Sequence, residues 1–114
     1  MASRKLERSE WQSFCVYASA WGLGKRAQIE TISLEIGRQV AVSLLPVLGV
    51  EYDPRSDVLE VMLFDLDHLI AHPRDLYVDD EPGGLSSFEV IDSEGLRQIV
   101  MFSDPLMLPG PPME

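Results

Sequence analysis

From Ala27 to Phe64 apolar residues recur at every second position, and that rhythm decides what the chain can fold into. A period of two puts one set of side chains on one face of a strand, which a helix cannot use. In AQIETISLEI, Ile32, Leu34 and Ile36 alternate with Ser33 and Glu35, while Ile29 is out of phase, the mark of a bulge or an early strand start. Gly37-Arg38 reads as a turn, and VAVSL returns with Val40, Val42 and Leu44 on one side. Pro46 has no N–H for a ladder, so it marks a bend, a bulge or an edge. VLGVEY and VLEVMLF flank DPRSD, where Asp53 and Pro54 suit the first two positions of a turn. A last hairpin of SSFEVI, a turn at 92–95 and LRQIVMF brings the expectation to five or six strands in hairpin order. Hairpins need no crossover helix, so the sheet is expected to be mainly antiparallel.

Before the alternation begins, SEWQSFCVYASAW has helical spacing. Trp11, Phe14, Cys15, Ala18 and Trp21 form one apolar stripe, Ser9 with Gln12 matches a capping box, and Gly22 and Gly24 supply the stop. Cys15 lies on the stripe, which makes it a small core group rather than a reactive thiol. The expected fold class is α+β: an N-terminal helix packed on a mainly antiparallel, curved five- to six-stranded sheet or open barrel, with one short helix near 66–72. Residues 1–104 form a single globular domain in this reading. Residues 105–114 form a proline-rich extended tail with Leu106, Met107 and Leu108 lying on the body.

Charge narrows the function classes. The 114 residues carry a net charge of -10. Residues 1–38 hold six Lys or Arg against four Glu, a net of +2, and residues 39–114 hold three Arg against fifteen carboxylates, a net of -12. Such a surface repels phosphate backbones, so direct nucleic-acid binding is not expected. The longest apolar run, VAVSLLPVLGV, has 11 residues, where a membrane span needs about 20. MASRKLERSEW has no apolar core of a leader peptide, and a lone cysteine suits a reducing compartment. A soluble cytoplasmic protein is therefore expected.

Both histidines fall in DLDHLIAHPRDLYVDDEP. The preferred reading is a short helix capped by Asp65, burying Leu66, Leu69 and Ile70 and ending at His72-Pro73. The competing reading is a metal or acid/base centre built from His68, His72 and Asp75. Against it, Pro73 pushes His72 out of helical geometry, and HLIAH lacks the glutamate of HExxH. Neither GxSxG, GxxxxGK[ST] nor GxGxxG occurs, so no nucleophile elbow or phosphate loop is indicated and no cofactor is expected.

SRKLERSEW, LLPVLGVEYDPRSDVLEV, LDHLIAHPRDLYVD, GGLSSFEVID and LRQIVMFSDPLMLP together resemble an uncharacterised family of short bacterial proteins, about 110 residues long, catalogued only as a domain of unknown function. The resemblance spans nearly the whole chain. It implies a single bacterial domain and supplies no activity or site residues. The leading expectation is a non-enzymatic protein acting through protein-protein contact in regulation or stress physiology. Its contact surface would be Arg74, Asp79, Asp80 and Glu81 on a loop from 74 to 84, with Leu106 and Leu108 of the tail. The alternatives are an enzyme centred on His68, His72 and Asp75, and an acidic inhibitor that mimics DNA. A homodimer would bury Met62 and Phe64 if the sheet leaves them uncovered.

Overall fold

The structure, a computed structural model, describes residues 2–81 and 84–103. Eight strands are present: β1 (Ala2–Leu6), β2 (Arg26–Ser33), β3 (Gly37–Asp53), β4 (Val58–Leu63), β5 (Leu66–Ala71), β6 (Pro73–Glu81), β7 (Gly84–Asp92) and β8 (Arg97–Ser103). A 3-10 turn at Arg8–Glu10 leads into the α-helix, α1 (Trp11–Gly22). The strands form one antiparallel sheet in the order β1-β6-β7-β8-β2-β3-β4-β5. It does not close, and β1 and β5 are its edges.

This overturns the α+β expectation of five or six strands with a second helix. The segment 66–72 is not helical: β5 pairs along its whole length with β4, from Val58↔Ala71 to Leu63↔Leu66. The two-residue turn between them places Asp65 at φ 68, a left-handed conformation that Asp tolerates better than most residues. The presumed stripe is not buried as a unit, because Leu66 and Leu69 are 43% and 60% exposed and only Ile70 points into the core. The presumed loop from 74 is strand β6, bonded to β1 on one side and β7 on the other. The two runs separated by Pro46 are one 17-residue strand.

β3 organises the molecule. Its first half pairs with β2 as far as Arg26↔Pro46, and its second half pairs with β4 from Val47↔Leu63 onward. The change of partner falls at Pro46, whose carbonyl accepts the Phe64 N–H, while the next amide, Val47, donates to the Lys25 carbonyl. The sheet folds back over its own inner face there, so that His68 of β5 meets Gln98 of β8 at 2.5 Å. The anticipated irregularity at Ile29 is a register shift on both sides of that residue. It turns Ile29 inward with Ala27, whereas Leu34 and Ile36, expected in the core, are exposed at the hairpin tip.

The edge of β3 that β2 leaves free beyond Pro46 is sealed by α1. Ser19 Oγ accepts the Val50 N–H and donates to the Val50 carbonyl, each at 2.8 Å. One hydroxyl thus satisfies both backbone groups of the buried Val50, where leaving them unpaired would cost about 1–3 kcal/mol apiece. Gly22 lets the helix approach closely, since a Cβ there would lie 3.1 Å from Val47 and from Phe102. Trp11, Phe14, Cys15 and Ala18 of α1 join the inward residues of β2–β8 in a single core cluster. The cap differs from the Ser9–Gln12 expectation: the Glu10 carboxylate accepts the Glu7 N–H at 2.9 Å, so the boxed pair is Glu7 and Glu10.

Candidate functional site

Two features stand out on this scaffold. The first is a polar network where α1 begins. The DPRSD turn closes with a bond from Asp57 N–H to the Asp53 carbonyl and leaves Asp57 at φ 57. The β5–β6 corner leaves His72 at φ 54, and its N–H donates to the Asp57 carbonyl at 2.8 Å. The Asp57 carboxylate accepts from the Tyr52 hydroxyl at 2.8 Å, faces His72 Nδ1 at 3.3 Å and lies 3.5 Å from Arg8 Nη1. Arg8 also donates to the Tyr52 hydroxyl and the Pro73 carbonyl, and its guanidinium lies 4.3 Å from the centre of the Trp11 ring. This ties together the 3-10 turn, β3, the β3–β4 turn and the start of β6.

The Tyr52 hydrogen bond is the foremost influence holding the Asp57 carboxyl below the ordinary range; burial opposes it, and the His72 bond and the charges of Arg8 and His72 add to it. A carboxylate depressed in the folded state contributes stability above its unfolded value of about 3.8, and that contribution is lost as pH falls through the lower folded value. Asp57→Asn keeps a residue suited to the left-handed turn and removes the charge. At pH 6 it should cost about 0.5–1 kcal/mol, a figure reduced for solvent screening. Urea melts at successive pH values should show the gap between wild type and variant closing below pH ~4.

Beside this network Lys5, Leu6, Glu7, Arg8, Trp11, Arg74 and Asp75 line an open concavity of about 390 Å³. Asp75 holds two of the cations, Lys5 Nζ at 3.2 Å and Arg74 Nε at 3.0 Å. Burial, the largest single influence on Asp75, pushes its carboxyl up, but the bonds and charges of Arg74 and Lys5 prevail and hold it below the usual range.

The second feature is an open edge. No strand among the described residues pairs with the β4-facing side of β3 between Gly37 and Leu45. Of these nine residues only Val42 is buried, and Val40 is 55% exposed. The one charged residue, Arg38, is paired with Glu30. Leu34 and Ile36 extend the exposed apolar surface at the hairpin tip, and Leu44, Leu48, Phe64 and Leu66 extend it around Pro46. Phe64 is thus uncovered, while Met62 is half-buried.

The residues singled out from the sequence separate in space. His68 contacts Gln98, His72 contacts Asp57, and Asp75 contacts Lys5 and Arg74. Among the described residues no three His, Cys, Asp or Glu side chains gather as a metal would require. Asp80 pairs with Arg4 at 3.1 Å, and Asp79 is half-buried with Oδ1 lacking a partner. Leu106 and Leu108 lie outside the described residues, as does the side chain of Glu81. Burial, then the charge of Glu51, pushes the Cys15 thiol up to about 12, which keeps it protonated and inert. Arg8, Tyr52 and Asp57 escaped the sequence reading. The five-residue interval across DPRSD that lets a tyrosine meet an aspartate was their one local signal.

Residues 2–111 match the model of a family of unknown function, DUF5335. The chain belongs to that family. It is similar to an uncharacterized protein of Aquifex aeolicus, 36% identical over 110 residues that cover 96% of this chain and 99% of the relative. No solved structure matches. The family therefore supplies extent and kinship, and the chemistry has to come from the residues. Among the described residues no helix is long and apolar enough to cross a membrane.

Proposed function

We propose that this member of the DUF5335 family acts through protein contact in a regulatory role, and that the contact is strand addition at the open edge of β3, filled by β3 of a second copy. The observation that carries this is the Gly37–Leu45 edge: nine residues with no strand among the described residues on one side, Val40 and Leu44 exposed there, and Arg38 the one charge. Such an edge, roughly 30 Å long, is a template for another strand unless charge or proline blunts it. Here the one charge, Arg38, is paired with Glu30, and the first proline is Pro46, at its far end.

Self-pairing suits this edge better than the edge of β5. There, register aligns Glu51 with Glu60 and Glu60 with Leu69, and Asp67 lies beside them. Burial, then Asp67 and Glu51, raises the Glu60 carboxyl, the signature of crowded like charges. A two-fold pairing of β5 would bring two such patches together, whereas the single charge on the β3 edge is already compensated. An enzyme centred on His68, His72 and Asp75 is disfavoured by their separate partners. A DNA mimic is disfavoured because Glu30, Asp75, Asp80 and Glu89 are spent on arginine or lysine. A bacterial cytoplasmic setting belongs to the same reading and is supported by the Aquifex relative and the single buried thiol.

Sedimentation and amide exchange test it together. The wild type should be dimeric at about 0.1 mM, an ordinary concentration for a micromolar interface, with slowed exchange over Gly37–Leu45. Val40→Lys with Leu44→Lys changes two exposed side chains, so the fold should survive while the dimer dissociates and those amides exchange freely. A wild-type monomer with unprotected amides in that segment overturns the proposal.

A further inference from the structure

We infer that the concavity at the start of α1 binds a small oxyanion, a phosphate or carboxylate group. In a chain of net charge -10, three of the nine cations converge here. Lys5, Arg8 and Arg74 share the lining with the carboxylates Glu7 and Asp75, and Arg8 also pairs with Asp57 beside it. Their positions are set in advance. Asp75 pairs with Lys5 and with the Nε of Arg74, and among the described residues no other group bonds the terminal nitrogens of Arg74. Tyr52, the Asp57 carboxylate and the Pro73 carbonyl hold Arg8, and its guanidinium lies 4.3 Å from the centre of the Trp11 ring. Cations held by such anchors lose little further freedom when an anion arrives, which is where binding energy is usually spent. The guanidinium fork of Arg74 matches a two-oxygen acceptor. About 390 Å³ is the size of a small-molecule site.

The two tryptophans make this measurable. Each gives one indole N–H resonance, and Trp21→Phe assigns the pair. Phenyl phosphate and benzoate are titrated into the full chain, with benzyl alcohol as the uncharged counterpart. At least one anion should shift the Trp11 indole signal saturably, while the Trp21 signal stays fixed. The preference between the two distinguishes a phosphate from a carboxylate site. Arg74→Gln alters an exposed side chain and should weaken that binding about tenfold, as loss of a charge-assisted bidentate contact does. The inference fails if neither anion moves the Trp11 signal by ~10 mM, if benzyl alcohol moves it as readily, or if Arg74→Gln binds as wild type does. Because the β3 edge lies elsewhere, a dimer-dissociating variant should bind the anion unchanged.

Discussion

Phe88→Ala should come close to unfolding the protein. Phe88 sits on β7 with 1% of its surface exposed. Its ring meets Phe14 of α1 edge-on, with centroids 5.3 Å apart and planes at 80°, and meets Phe102 of β8 at 6.0 Å. It therefore joins the helix to the sheet. Truncating a fully buried phenylalanine costs about 3–5 kcal/mol, transfer and cavity together. The edge-to-face contact with Phe14 adds about 0.5–1.5 kcal/mol beyond its area. Domains of this size hold only about 5–15 kcal/mol in reserve. Thermal melting followed by circular dichroism should show a midpoint lowered by more than about 10 °C. Phe88→Leu should recover most of it, because leucine refills the volume and loses only ring geometry. A Phe88→Ala midpoint within a few degrees of wild type would mean that α1 is not pinned through this ring.

The contrast between Phe88 and the residues around it explains what the sequence could disclose. β7 and β8 lie inside the sheet, and Val90 and Val100 flank Phe88 in the same alternation, so their period of two was plain. The stripe of α1 was equally plain, since Trp11, Phe14, Cys15 and Ala18 all meet one core. β5 misled because it is an edge: Leu69 faces water, and the chance 3,4 spacing of Leu66, Leu69 and Ile70 imitates a helix. β6 alternates correctly, with Leu76 and Val78 inward, but its flanking carboxylates made it resemble a solvated loop. Among the described side chains of β1 only Leu6 is buried, and the strand is held by its ladder to β6. Both candidate sites were illegible for a related reason. The open edge of β3 depends on which strand pairs where, and Arg8, Tyr52 and His72 meet only after the chain has folded back twice.

Gly84→Ala should produce a loss comparable to a core truncation, although it adds a single methyl group. Gly84 begins β7 at φ 143, a conformation side chains rarely adopt. A Cβ there would stand 2.3 Å from Cη2 of Trp21 and 2.6 Å from Cζ2 and Cζ3. Trp21 packs against the core and carries Lys25 Nζ 4.1 Å from its ring centre, so turning the ring aside to relieve the overlap disturbs both contacts. Backbone strain contributes about 1–3 kcal/mol and overpacking about 1–3 kcal/mol. Gly24→Ala is the control, because Gly24 has φ 87 with nothing within 4 Å of its virtual Cβ and should show the backbone term alone. A double-mutant cycle then isolates the collision. In a Trp21→Ala background, Gly84→Ala should cost only what Gly24→Ala costs, and the difference between the two backgrounds measures the methyl–indole overlap. Equal losses in both backgrounds would place the whole effect in the backbone and remove Trp21 from the account.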